Sequence, residues 1–367
     1  MFSRQLFVPF LTLVVLLCGC TVNMDQPAQE TAPALSSPRS NPVPPLSTVD
    51  PAQRSATLPV TWADLKLSGR LIYLAGFQMD NNPYVQLENL DLVSGVVTTL
   101  YQSPPTWWIS AASVSPDENQ VALSYATPTN FPAIYLMPLD GTSTPRLLFS
   151  PPTKTDEYIE PVWSPDGRFI YFAHINFGVT SPVFEIERIA SSGGTPEKVV
   201  GNATWPRLSP DGSRLVYVSQ NPNDRTDRLF TSAPDGGDPQ QVELKGPMVP
   251  TIIDAPFFSP DGKSIFFSGP APASEYTPSW LDQLLGIQVA SAHSLPEDWW
   301  SVETTGGVPR QLTHIQSPSL YGSISPDGRL LASFSSDGIF VMGPDGSQLT
   351  LIVPAVGGIP GTVNWIP

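Results

Sequence analysis

Apolar and polar positions along the chain fall into a pattern that repeats five times. Gln120–Tyr125 (QVALSY), Arg168–Ala173 (RFIYFA), Arg214–Ser219 (RLVYVS), Ser264–Ser268 (SIFFS) and Arg329–Phe334 (RLLASF) are short, largely apolar runs. Their length and the turn residues around them predict strands buried on both faces. Before each run stands a turn: Ser115-Pro116-Asp117-Glu118, Ser164-Pro165-Asp166-Gly167, Ser209-Pro210-Asp211-Gly212, Ser259-Pro260-Asp261-Gly262 and Ser325-Pro326-Asp327-Gly328. In such a turn proline presets φ, aspartate caps nearby amides and glycine takes positive φ. An apolar residue leads into each one: Val114, Trp163, Leu208, Phe258 and Ile324. The turns lie 49, 45, 50 and 66 residues apart.

Further strands follow within each unit. Val183–Ile189 (VFEIERI), the turn Ser192-Gly193-Gly194 and Glu197–Val200 complete one; Ile134–Met137, Asp140-Gly141 and Arg146–Phe149 complete another. Four strands in about 45 residues mark a β-propeller blade. Pro161, Pro206 and Pro256 each stand three residues before the turn serine, which suits an inner strand with a free edge. Ser68–Ala75 (SGRLIYLA) matches Asp166–Ala173 (DGRFIYFA), so the fold enters at the second strand of a blade. Thr362–Trp365 (TVNW) matches Glu160–Trp163 (EPVW) and supplies that blade's missing first strand. The expectation is an all-β, six-bladed propeller over 61–367, closed by pairing of its two ends. Closure removes the open edge that otherwise invites aggregation.

The repeated Ser-Pro-Asp-Gly turn and following strand resemble the WD-like repeat of the TolB-type β-propeller family. The same repeat occurs in the propeller halves of prolyl-oligopeptidase-type enzymes. The resemblance covers roughly 69–367 and implies the fold far more than a function. TolB proteins carry a folded N-terminal α/β domain where this chain has a proline-rich stretch. The peptidases add a hydrolase domain after the propeller, where this chain ends.

The first residues carry a different pattern. Arg4 precedes the apolar run Leu6–Leu17, which is too short to span a bilayer as a helix and reads as an export signal. Leu17-Cys18-Gly19-Cys20 resembles the lipobox of bacterial lipoproteins, which implies cleavage after Gly19 and lipidation of Cys20. Residues 1–19 are thus expected to be a signal peptide and 20–60 a disordered tether. Eight prolines fall in 21–60 among Ser, Thr, Ala and Gln, a composition that favours an extended spacer. The predicted location is outside the cytoplasm, on the cell membrane or the outer membrane of a bacterium.

Composition sharpens this reading. Proline is 43 of 367 residues, which disfavours helix-rich folds. A formal net charge of -15 argues against nucleic acid as a partner. Both cysteines, Cys18 and Cys20, lie at the N-terminus, so no disulfide is expected in the propeller.

Candidate chemistry then concentrates on one face. The Ser-Pro-Asp-Gly turns read as structural. The opposite face carries longer connections, Phe77–Pro83, Gln102–Trp108, Pro151–Glu160, His174–Pro182, Gln220–Asp227 and Gly246–Asp254, where binding usually resides. Trp107, Trp108, Phe131, Tyr158 and Phe177 are candidate binding residues there. An insertion at 270–297 in blade 5 is predicted to hold an amphipathic helix from Thr277-Pro278, with Trp280 as a further candidate. Acidic loop residues (Asp80, Asp156, Glu157, Glu160, Asp224, Asp227, Asp254, Glu297, Asp298) could assemble a catalytic pair, but the sequence selects none. His174, His293 and His314 show no ligand spacing, and neither a metal nor a cofactor is expected. No nucleophile elbow, zinc-protease motif or phosphate loop is present. The expected function is a monomeric, lipid-anchored module binding an envelope protein, peptide or glycan. The alternative is a hydrolase or lactonase-like metalloenzyme using carboxylates at the channel mouth.

Overall fold

Five turns of one design join the first and second strands of five of the sheets. In each, the serine hydroxyl donates to the aspartate two residues on, from Ser115–Asp117 at 2.6 Å to Ser325–Asp327 at 2.7 Å. The same serine oxygen accepts an amide five residues on, as from Gln120, Arg214 and Leu330. The aspartate accepts a second amide, as from Arg168, Ser213 and Arg329. Gly167, Gly212, Gly262 and Gly328 hold φ near +70° (68–72°), the left-handed region that favours glycine. Glu118 takes that place in the first turn at φ 56° and reaches Arg70 of the neighbouring blade at 2.5 Å.

The computed structural model describes residues 55–79, 82–179, 182–220, 226–270, 296–317, 320–335, 337–354 and 361–367. Its strands fall into six sheets. Blade 1 holds β1 (Ser55–Thr57), β2 (Arg70–Met79), β3 (Asn82–Asp91) and β4 (Val96–Gln102). Blade 2 holds β5 (Trp108–Val114), β6 (Gln120–Thr127), β7 (Asn130–Pro138) and β8 (Arg146–Leu147). Blade 3 is β9 (Asp156–Trp163), β10 (Phe169–Asn176), β11 (Val183–Ala190) and β12 (Glu197–Gly201). Blade 4 is β13 (Thr204–Leu208), β14 (Leu215–Gln220), β15 (Asp227–Ser232) and β16 (Gln240–Gln241). Blade 5 is β17 (Asp254–Phe258), β18 (Ser264–Pro270), β19 (Glu297–Glu303) and β20 (Arg310–Gln311). Blade 6 is β21 (Tyr321–Ile324), β22 (Leu331–Ser335), β23 (Gly338–Met342) and β24 (Thr350–Pro354). Strand β25 (Val363–Ile366) pairs antiparallel with β2, so the C-terminal strand completes blade 1 as the sequence match implies.

The core is divided into six clusters, one between each pair of adjacent blades. Alternation along each second strand feeds both sides. Leu71, Tyr73 and Ala75 pack toward blade 6, while Ile72 and Leu74 pack toward blade 2. Likewise Ile170 and Phe172 face blade 2, and Tyr171 faces blade 4. This is why these strands read as unbroken apolar runs. Each such side chain contributes roughly 1.5–3 kcal/mol through burial. The ring therefore rests on packing.

Two features depart from expectation. Strand β1 pairs with β4 and adds a fifth strand to blade 1, from within the 20–60 stretch expected as tether. The Phe77–Pro83 connection is mostly strand, because β2 and β3 each run 10 residues and stack Phe77 on Tyr84 at 5.5 Å. The signal, Cys20, most of the tether, Trp280, His293 and the helix expected in the 270–297 insertion lie outside the described residues. Among the described residues no helix is long and apolar enough to cross a membrane.

Candidate functional site

Opposite the Ser-Pro-Asp-Gly turns lies the face carrying the links between second and third strands and between blades. Three aromatic rings are exposed among the described residues, Trp108, Phe131 and Phe177, and all three lie on this face. Trp108 opens β5, Phe131 follows the β6–β7 link, and Phe177 follows β10. Phe131 and Phe177 are 48% and 46% exposed, and their rings meet across the blade 2–blade 3 boundary at 6.2 Å. Val179, in the link that follows Phe177, and Val183, which opens β11, are also exposed. Exposed aromatics grouped at one rim cost solvation, and such patches mark interaction sites.

Of the other predicted binding residues, Trp107 is half-buried and packs on Tyr125 at 5.5 Å. Tyr158 is buried and stacks flat on His174 at 4.5 Å. Its strand alternation turns it into the blade interface, so it supports the rim from beneath.

The inner strands β5, β9, β13, β17, β21 and β25 neighbour one another in sequence around the channel. Glu160, Trp205 and Ala255 occupy equivalent points on β9, β13 and β17, each one residue before a proline. All three take positive φ, 57°, 57° and 46°, at a break in strand register. The extra residue opens a bulge where proline's missing donor is tolerated. Blades 3 to 5 bring charged groups together here, Glu160 on β9, Arg207 on β13, Asp254 on β17 and Glu297 at the start of β19, and blade 6 adds Tyr321. Burial lowers the Arg207 pKa, and the Glu160 carboxylate opposes that change. Burial, then Glu160, Asp254 and Glu297, raise the pKa of the Tyr321 hydroxyl. Trp205 packs against Tyr321 at 5.6 Å.

Glu297 is fully buried, and its pKa is pushed up to about 8 by burial first and the Asp254 carboxylate second. Leu320 N–H donates to its Oε2 at 3.4 Å. Asp298, also fully buried, organises the following loop by accepting from Thr313, Ile315 and Gln316. Asp227 accepts from Ile253 N–H at 3.0 Å. Asp80 and Asp224 lie outside the described residues.

His174 forms a third polar centre, on the face of blade 3 that meets blade 2. Its Nδ1 lies 2.9 Å from Glu187 Oε1 and its Nε2 3.0 Å from Asp156 Oδ1. Burial pulls the imidazole pKa down, but Glu187 and Asp156 outweigh it and raise the value. Burial likewise opposes, and hydrogen bonds from His174 and Thr153 overcome, to hold Asp156 below the usual carboxylate range. Glu185 pairs directly with His174 across β10 and β11 and meets Lys198 Nζ at 2.5 Å. His314 stands apart, beside Gln311.

No protein-family model matches the sequence, and no curated protein matches it. Solved structures do. TolB from Acinetobacter baumannii superposes with a TM-score of 0.58 at 20% identity, covering 82% of this chain and 67% of that one. A putative TolB from Agrobacterium tumefaciens gives 0.54 at 17% identity, covering 82% of this chain and 100% of that one. A chain of a nidogen/laminin complex gives 0.56 at 12% identity, covering 81% and 98%. The fold is a TolB-type six-bladed β-propeller.

Within that TolB-type propeller, sequence reasoning named the rim aromatics and the acidic residues but not their grouping. It did not find Glu185, Glu187, Arg207 or Tyr321. The signal for the first two was present: Glu185 and Glu187 stand at alternate positions of VFEIERI, hence on one face of a strand. The turn face carries a cleft of about 560 Å³ beside Asp117, Trp163 and Asp166, walled by the turn residues themselves.

Proposed function

We propose that this protein is an extracytoplasmic propeller, anchored through lipid on Cys20, that binds an envelope protein, peptide or glycan through the rim of blades 2 and 3. The observation that carries this reading is the placement of every described exposed aromatic ring on that rim. The TolB-type fold supports a binding role only as an architecture suited to one. Location rests on the Arg4 to Cys20 pattern together with the proline-rich stretch that follows.

A second reading, hydrolysis by channel carboxylates, draws on Glu160, Asp254 and Glu297 and on the raised Glu297 pKa, a feature typical of catalytic acids. Against it, Glu297 and Asp254 are both buried, so neither carboxyl presents itself to a substrate in this conformation. The two readings separate in one experiment. A double variant, Phe131→Ser with Phe177→Ser, should lose the partner captured by cross-linking in intact cells while keeping its melting temperature. Retention of that partner at wild-type yield sinks the rim as the binding surface.

A further inference from the structure

We propose that His174, Glu185 and Glu187 form a binding site for a divalent transition-metal ion such as zinc(II), on the side of blade 3 that faces blade 2. One ligand atom from each lies within 4.8 Å of the others. The set is one imidazole nitrogen and two carboxylates, a mixed N/O donor set that zinc(II) accepts with water in the remaining position.

The surroundings are organised as a metal histidine requires. Metal-bound histidine commonly donates its second ring N–H to a carboxylate, which fixes the tautomer. Asp156, 2% exposed, stands at Nε2 to accept that proton. Asp156 is itself fixed: Asn176 Nδ2 donates to Oδ1 at 2.8 Å, and Thr153 N–H and hydroxyl each donate to Oδ2 at 2.8 Å. Asn176 is oriented in turn by Gly178 N–H. Tyr158, stacked at 15° to the imidazole, sets the ring plane. With Nε2 protonated toward Asp156, Nδ1 faces two carboxylates, where only a proton or a cation is favourable.

Charge and access fit as well. Three carboxylates, Asp156, Glu185 and Glu187, are met by the His174 proton and Lys198. Lys198 is 55% exposed on its side chain and can leave Glu185 for solvent. An incoming dication displaces the Nδ1 proton to solvent and takes that nitrogen and both glutamates as ligands. A tetrahedral ion with ligands at ~2.0–2.2 Å holds them about 3.4 Å apart. The present 2.9 Å between Nδ1 and Glu187 Oε1 therefore opens by a fraction of an ångström.

Calorimetric titration of the full-length protein in detergent with zinc chloride tests this. One equivalent should bind, with proton release. His174→Ala and Glu187→Gln should weaken it at least tenfold. Asp156→Asn should weaken it about 10- to 100-fold, the range for loss of such an outer partner. Lys198→Ala, an exposed change that leaves the fold intact, should tighten it by removing a competing cation. Cobalt(II) at the same place should show visible absorption that is lost in His174→Ala. Absence of stoichiometric zinc binding, equal affinity in His174→Ala, or no tightening in Lys198→Ala would each overturn the assignment.

Discussion

The Trp205 main-chain N–H donates to Glu160 Oε2 at 2.8 Å, joining the inner strand of blade 4 to that of blade 3. Both residues sit at φ 57° on their bulges, and the Glu160 carboxylate also favours the charged form of the half-buried Arg207. Removing the carboxylate orphans a main-chain donor and takes a counter-charge from a half-buried cation. Glu160→Ala should therefore cost about 1–3 kcal/mol, and Glu160→Gln, which keeps an acceptor, distinctly less. Urea unfolding measures both. A cost below about 0.5 kcal/mol for the alanine variant contradicts this view of the channel.

Ring closure makes a second prediction. Thr362 Oγ1 accepts from Ala112 N–H at 2.6 Å and donates to Ala112 O at 2.8 Å, and Asn364 Nδ2 donates to the same oxygen at 3.0 Å. These bonds tie β25 and the residue before it to β5 of blade 2. Thr362→Val keeps the side-chain shape but strands a buried amide, a loss of about 1–3 kcal/mol. The urea midpoint should fall with an unchanged slope. An unchanged midpoint shows that β2–β25 pairing alone carries closure.

Stability should peak on the acid side. Burial raises the Glu297 pKa to about 8, with Asp254 adding to it. Burial also raises that of Glu88 to about 7, against a hydrogen bond from Thr99. The unfolded chain releases these protons near pH 4.5, whereas the folded chain retains them. Their contribution is complete below pH 4.5 and declines as pH rises toward 7–8, by at most about 1.4 kcal/mol per group per pH unit. The turn aspartates Asp166, Asp211 and Asp327 act oppositely. Hydrogen bonds, first from the turn serines, lower them to about 2, so their contribution is lost as pH falls below about 3.8. Melting temperature should be highest near pH 4–5, and Glu297→Gln should flatten the alkaline limb. A curve that climbs from pH 5 to 8 rules this out.

Much of the fold was legible because propeller blades obey local rules. Serine, proline, aspartate and glycine at fixed offsets specify one turn, and apolar runs such as RFIYFA specify strands packed on both faces. Even the composite blade could be read, from Thr362–Trp365 matching Glu160–Trp163. The sites were less legible because they form across blades. Tyr158 looks like a loop aromatic in sequence, yet strand alternation buries it against His174. Glu160, Asp254 and Tyr321 are distant along the chain and come near one another only because successive inner strands surround one channel, and Glu297 joins them from the start of β19, the third strand of blade 5. Strand β1 escaped because Ser-Ala-Thr among prolines carries no alternation to detect.

The exposed rim residues should be dispensable for folding. Phe131 and Phe177 bury about half of each ring, so Phe131→Ser and Phe177→Ser should each cost about 1 kcal/mol or less. Burial of Tyr125 beneath Trp107 is different in kind. Tyr125→Ala should cost about 3–5 kcal/mol, since its ring is fully buried in the core between blades 1 and 2. If the rim variants prove as damaging as Tyr125→Ala, the rim is structural.

The binding surface itself can be located directly with a photo-cross-linking amino acid placed at single positions in intact cells. Probes at Phe131 and Phe177 should yield the same discrete adduct, and a probe at Ser213 on the opposite face should yield none. Equal labelling from both faces, or none from Phe131 and Phe177, would contradict a binding module that works through the rim of blades 2 and 3.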